Sequence, residues 1–195
     1  MPVVSFLVYV FVMSFTPGPN NIMAMLFANQ YGFKKTIRFC LGVGAGFFVI
    51  MILSSYFNLL LHNVIPKIEL PMMILGAGYM LYLAYKIITS TTNGNGNGND
   101  RGKYNSFLAG MLLQFVNPKG VLYCITVVGT FILPYHSSHS SLLLLSLFLG
   151  FVGILSTGSW SLFGSVFQKF LSKYRQQFNV VMALLLVYSA VSIFM

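Results

Sequence analysis

Acidic residues are nearly absent from this chain: Glu69 and Asp100 are the only two among 195 residues. Neither lies deep in an apolar stretch, and the three histidines, His62, His136 and His139, also stand between such stretches. The acid–base groups of most enzymes are therefore missing from the apolar interior, where Lys119 is the one general base left. Charged residues of both signs make up only 7% of the chain, too few to cover a soluble surface. Cysteine is scarce as well. Cys40 and Cys124 both fall in apolar stretches without metal-ligand spacing, and they read as small buried hydrophobes rather than a disulfide or a zinc site. His136 and His139 lie beside serines with no third ligand and read as a solvated outer loop.

Hydrophobic residues, by contrast, reach 57%, with 19 Phe, which marks an all-α integral membrane protein. A helix needs about 20 mostly apolar residues to span a bilayer. Six stretches qualify: 3–28, 37–61, 68–88, 106–133, 141–166 and 177–195. The connections are short, so function is expected within the bilayer or across it. Val3 to Phe15 has the length of a signal-peptide core. No Lys or Arg precedes it and no small-residue cleavage pattern follows, so it is expected to remain in the mature protein.

The formal charge of +9 does not describe a nucleic-acid surface, because the basic residues are confined to alternate connections. Lys34, Lys35 and Arg38 lie between the first and second stretches, Lys86, Arg101 and Lys103 around the third connection, and Lys169, Lys173 and Arg175 between the fifth and sixth. In the other connections Lys67 is balanced by Glu69, and no Lys or Arg falls between Pro134 and Ser141. The positive-inside rule then puts the basic connections in the cytoplasm and both termini outside.

The segment TSTTNGNGNGND, residues 89–100, has no apolar side chains to bury and reads as a flexible linker near the midpoint. It divides the chain into a first three-helix repeat (1–90), a linker (91–103) and a second three-helix repeat (104–195). Three spans begin on one face and end on the other, so the second unit is inserted upside down, the inverted repeat common in secondary transporters.

Each half also opens with a broken span. The first contains SFTPGPNNIM, residues 14–23, and the fourth contains LLQFVNPKGVLY, residues 112–123. Pro17, Pro19 and Pro118 deprive the carbonyls of Met13, Phe15 and Gln114 of their helical donors. An unpaired backbone group in hydrocarbon costs several kcal/mol, so such breaks persist where protein, water or a ligand meets the exposed groups. Lys119 adds a cation that costs about 2.5–3.5 kcal/mol at the membrane centre on insertion scales. A half-helix that restarts offers N–H groups and a positive dipole end to a carboxylate; one that stops offers carbonyls to an ammonium group. A zwitterion matches both ends. Lys119 then stands near the carboxylate, with Asn20, Asn21 and Asn117 as adaptable partners. The alternative role for Lys119 is to snorkel to an interface. Gly42, Gly44 and Gly46, and Gly150, Gly153 and Gly158, read as helix-packing positions.

TPGPN in the first span, CLGVGAGF in the second, QFVNPK in the fourth and the six-span length together resemble the LysE/RhtB superfamily of bacterial amino-acid exporters. YLAYKIITS after the third span and LLLVYSAVSIF at the C-terminus are most similar to the branch that exports cysteine and O-acetylserine. The resemblance implies a multi-pass protein of the bacterial inner membrane that exports small neutral amino acids, driven by the proton gradient and without metal or cofactor. It places the substrate at Thr16, Pro17, Gly18, Pro19, Asn20 and Asn21 of the first span and Asn117, Pro118 and Lys119 of the fourth, to which the polar cluster at the second break adds Gln114. The expected partners are the amino acid and the lipid bilayer, and assembly into a homo-oligomer is left open. Alternatives are export of threonine, homoserine, leucine or lysine, or a passive channel or membrane assembly protein.

Overall fold

The structure, a computed structural model, describes residues 2–92, 105–136 and 138–194. Within them the chain folds into helices alone. The first span is broken into α1 (Val3–Phe15) and α2 (Pro19–Tyr31), which meet at 49°. Helix α3 (Phe33–Tyr56) follows Gly32, whose φ of 84° suits a glycine. Next come α4 (Asn58–Thr92), α5 (Phe107–Val116) and α6 (Pro118–Thr126), the last continuing through the wide π-helical turns Val127–Ile132. The fourth span bends by 70° between α5 and α6. Helices α7 (His139–Val166), α8 (Gln168–Lys173) and α9 (Arg175–Ser192) complete the order.

Three helices have the length and composition of a membrane span by themselves, in the regions Phe33–Tyr56, Leu70–Thr89 and His139–Val166, and each bent pair makes one more. Helix α9 is shorter, at 18 residues, and lies along α4 in the sixth place of the expected order. The surface is apolar, and polar side chains are gathered inside among an otherwise hydrophobic core, the arrangement expected where lipid rather than water is the solvent. Phe11 and Leu144 are more than 60% exposed, whereas Gln114, Ser146 and Ser161 are wholly buried.

Two expectations at helix boundaries are corrected. The second span ends at Tyr56 rather than residue 61, and the expected connection at 62–67 is helical, because α4 runs through both Pro66 and Pro71. A proline removes one donor without ending a helix whose other bonds hold. Residues 89–92 of the expected flexible segment also belong to α4, since no glycine intervenes before Gly94. The rest of that linker, from residue 93, lies outside the described residues.

Glycines set the helix packing. A Cβ on Gly42 would stand 1.9 Å from the Phe107 carbonyl oxygen, and one on Gly110 would stand 2.3 Å from that of Phe39, so α3 and α5 touch backbone to backbone. Gly44 and Gly150 bring α3 against α7 in the same way. Gly153 receives the Phe47 ring, and Gly164 seats α7 on the Met25 carbonyl of α2. Gly158 departs from the expectation, with nothing within 4 Å of a Cβ built on it. Gly158→Ala is therefore expected to leave the melting temperature unchanged or slightly raised, since alanine also favours the helix by about 1 kcal/mol; a clear loss in a thermal melt would contradict this packing. Cys40 and Cys124 are buried free thiols, as the sequence implies. His139 is exposed as expected but opens α7 rather than lying in a loop, stacks on Tyr56 at 5.6 Å and shares a 3.0 Å hydrogen bond with its hydroxyl. No cluster of three metal-ligating residues occurs among the described residues.

Candidate functional site

The two breaks face each other. Gly18, Asn20 and Asn21 of the first and Asn117, Lys119 and Gly120 of the fourth line one small cavity of about 30 Å³, with Ser156 and Thr157 of α7 on its wall. Asn20 donates a short hydrogen bond to Gln114, joining the two spans directly. Pro118 is pressed against α4, where a Cβ on Gly76 would lie 2.1 Å from its ring.

The carbonyls freed in the first break are met by side chains. Ser14 O accepts from Asn21 Nδ2 at 2.8 Å and from Ser156 Oγ at 2.6 Å. Phe15 O accepts from the Trp160 indole at 3.1 Å, and Thr16 O from Asn21 Nδ2 at 3.0 Å. Pro17 O accepts from Ser189 Oγ at 3.1 Å and from Lys119 Nζ at 3.0 Å. Lys119 also donates to Thr16 Oγ1 at 2.7 Å. Its ammonium is thus turned toward the carbonyls of the first break, a placement the sequence reading did not anticipate.

The restarting half-helices are open by comparison. Neither α2 nor α6 has a side-chain cap, and each begins with a proline at its first position. Their positive dipole ends converge on the cavity, a setting that favours an anion. Around it the buried Asn20 Oδ1, Gln114 Nε2 and Asn117 Oδ1 have no hydrogen-bond partner among the described residues. Unpaired groups of this kind cost about 1–3 kcal/mol each, and here three amide atoms gather at one place between the two breaks.

The structure therefore brings Thr16, Gly18, Asn20, Asn21, Asn117 and Lys119 to one cavity, with Gln114 bonded to its wall and Pro17, Pro19 and Pro118 shaping the breaks. Sequence reasoning missed Ser14, Ser156, Trp160, Ser189 and Gly76. The polar run STGSWS in the fifth span, residues 156–161, was the available signal.

A second, larger cavity of about 520 Å³ lies one turn along α2, bounded by Met23, Leu113, Tyr79 and Asn179, with Lys86 and Arg175 among its lining residues. Its volume falls in the range of small-molecule sites, about 300–1,000 Å³. Met23 and Leu113 line this space, and Leu113 is the chain neighbour of Gln114, which is bonded to Asn20.

Fold and site together define a multi-span helical membrane protein with a polar centre between two broken spans. Residues 11–195 match the family model of the LysE type translocator, and the chain belongs to that family. It is a transporter, not an enzyme. It is similar to the cysteine/O-acetylserine efflux protein of Escherichia coli K12, 38% identical over 97% of this chain and 96% of that one. The proteins of the same name from Shigella sonnei, at 38%, and Escherichia coli O139:H28, at 37%, match over the same shares. No solved structure matches the chain.

Proposed function

We propose that the chain exports small neutral amino acids of the cysteine and O-acetylserine type across the bacterial cytoplasmic membrane, driven by the proton gradient. The observation that carries this reading is the meeting of two broken spans that offer carbonyls on one side and uncapped helix N-termini on the other, a complement to a zwitterion. Similarity to efflux proteins of that name supports the substrate class. Asn20, Asn21, Asn117 and Gln114 orient the substrate, while Pro17, Pro19 and Pro118 keep the backbone open. Thr16 and Gly18 form its floor with Lys119.

The basic connections face the cytoplasm and both termini face outward. The 520 Å³ cavity then lies on the cytoplasmic side and leads substrate to the site past Met23, Leu113 and the Asn20–Gln114 pair. The two halves are read as inverted repeats of residues 1–90 and 104–195. Their packing supports this: α3 lies against its counterpart α7 and α4 against its counterpart α9, while the second span of each half also packs on the broken span of the other. Contacts between like elements are what a two-fold relation produces.

Uptake of labelled cysteine and O-acetylserine into inside-out vesicles, beside lysine, threonine and leucine and with or without an imposed proton gradient, tests the reading. Gradient-stimulated uptake of the first two is expected. Asn117→Ala is expected to lose it with no loss of thermal stability, because the Asn117 Oδ1 has no partner in the closed site. Absence of amino-acid transport by folded protein would refute the proposal.

A further inference from the structure

The position of Lys119 goes beyond this reading while resting on it. Its ammonium has three N–H donors. Three neutral oxygens receive them: Thr16 Oγ1 at 2.7 Å, Pro17 O at 3.0 Å and Thr16 O at 3.5 Å. Its chain passes Gly18, where even an added Cβ would keep 3.6 Å from Cδ. The remaining space in the site is about 30 Å³, enough for a few water molecules at most and far below the about 300 Å³ of a small-molecule site. The three N–H donors of Lys119 are spent on these oxygens, so a second ammonium that binds them in the same way has to displace it.

We propose that the first break is a binding site for a primary ammonium group and that Lys119 occupies it from within whenever substrate is absent. The arriving amino group takes over the Thr16 and Pro17 oxygens. Lys119, released, turns to the substrate carboxylate beside the uncapped starts of α2 and α6. A tethered ammonium is present at a high effective concentration, so a simple amine competes poorly. A zwitterion gains the second contact with its carboxylate, and the exchange selects molecules that carry both charges. The same exchange accounts for a half-buried cation held only by neutral oxygens: it can leave without separating an ion pair.

Chemical rescue of purified Lys119→Ala tests this without any transport assay. The variant leaves two carbonyls and a hydroxyl short of a donor and is expected to melt roughly 5 °C below wild type. Methylammonium, which has three N–H donors, is expected to restore the melting temperature at high millimolar concentration, whereas tetramethylammonium, which has none, is not. Equal effects of the two cations, or no effect of either, would overturn the proposal. Should the variant fail to fold, acylation of Lys119 in wild-type protein by an amine-reactive ester, read by peptide mass mapping, replaces it. Saturating O-acetylserine is expected to change the labelling of Lys119 severalfold and leave Lys34 and Lys35 unchanged, while unchanged labelling of Lys119 would count against the exchange. Rescue by methylammonium in a protein that moves no amino acid would uphold the ammonium site while refuting the exporter reading. Transport without rescue would do the reverse.

Discussion

Asn21→Leu is expected to abolish export and to destabilise the protein together, by about 3 kcal/mol. The Asn21 side chain is buried at the first break, where its Nδ2 donates to both Ser14 O and Thr16 O and its Oδ1 accepts from Ser156 Oγ at 3.2 Å. Leucine fills a similar volume and supplies no polar atom. Thr16 O would then keep only its long contact to Lys119, and Ser156 would keep only Ser14 O. In a site shielded from water such losses are not made good by solvent. The check is a thermal melt paired with vesicle uptake. A variant that melts lower yet transports normally would show that Asn21 holds the break without shaping the path. The contrast with Asn117→Ala, expected to keep stability and lose transport, separates the closed carbonyl cluster from the polar atoms left open for a ligand.

The second large effect is expected at Gly42. Valine there would bring a side-chain atom to about 2 Å from the Phe107 carbonyl, and backbone cannot step aside as a flexible side chain can. Helices α3 and α5 would have to separate, and with them the wall that holds Gln114, since Gly46 one turn on touches the Gln114 side chain. A cost of about 3 kcal/mol corresponds to a fall in melting temperature of roughly 6–12 °C for a chain of this size. Gly78→Val is the control, because nothing lies within 4 Å of a Cβ at that position. Equal melting temperatures for the two variants would show that the close approach at Gly42 is not structural.

Much of this arrangement was legible because its signals are local. Proline spacing gives the break positions directly, and small residues repeating along the second span give the close-packed face. The carbonyl partners were not legible. Ser156, Trp160 and Ser189 meet the first break across 142, 145 and 172 residues of chain, and no local rule pairs a serine with a distant backbone oxygen. Lys119 was recognised as unusual but its direction was not. A lysine near a broken helix suits a ligand carboxylate and a freed carbonyl alike, and only the fold shows that Thr16 and Pro17 lie within its reach. The helical run from Asn58 through two prolines was missed because proline marks the loss of one donor, which is a weaker signal than the loss of a helix.

Trp160 provides the most direct test of the central claim that an amino acid binds between the two breaks. It is the only tryptophan in the chain, and its indole donates to Phe15 O at the end of α1. Emission from purified wild-type protein should be titrated with O-acetylserine, cysteine and lysine, and repeated with Asn117→Ala. A saturable change in emission with O-acetylserine and cysteine, absent with lysine and lost in Asn117→Ala, is the expected result. Unaltered emission at concentrations that saturate export would place the substrate elsewhere and contradict a site at the paired breaks.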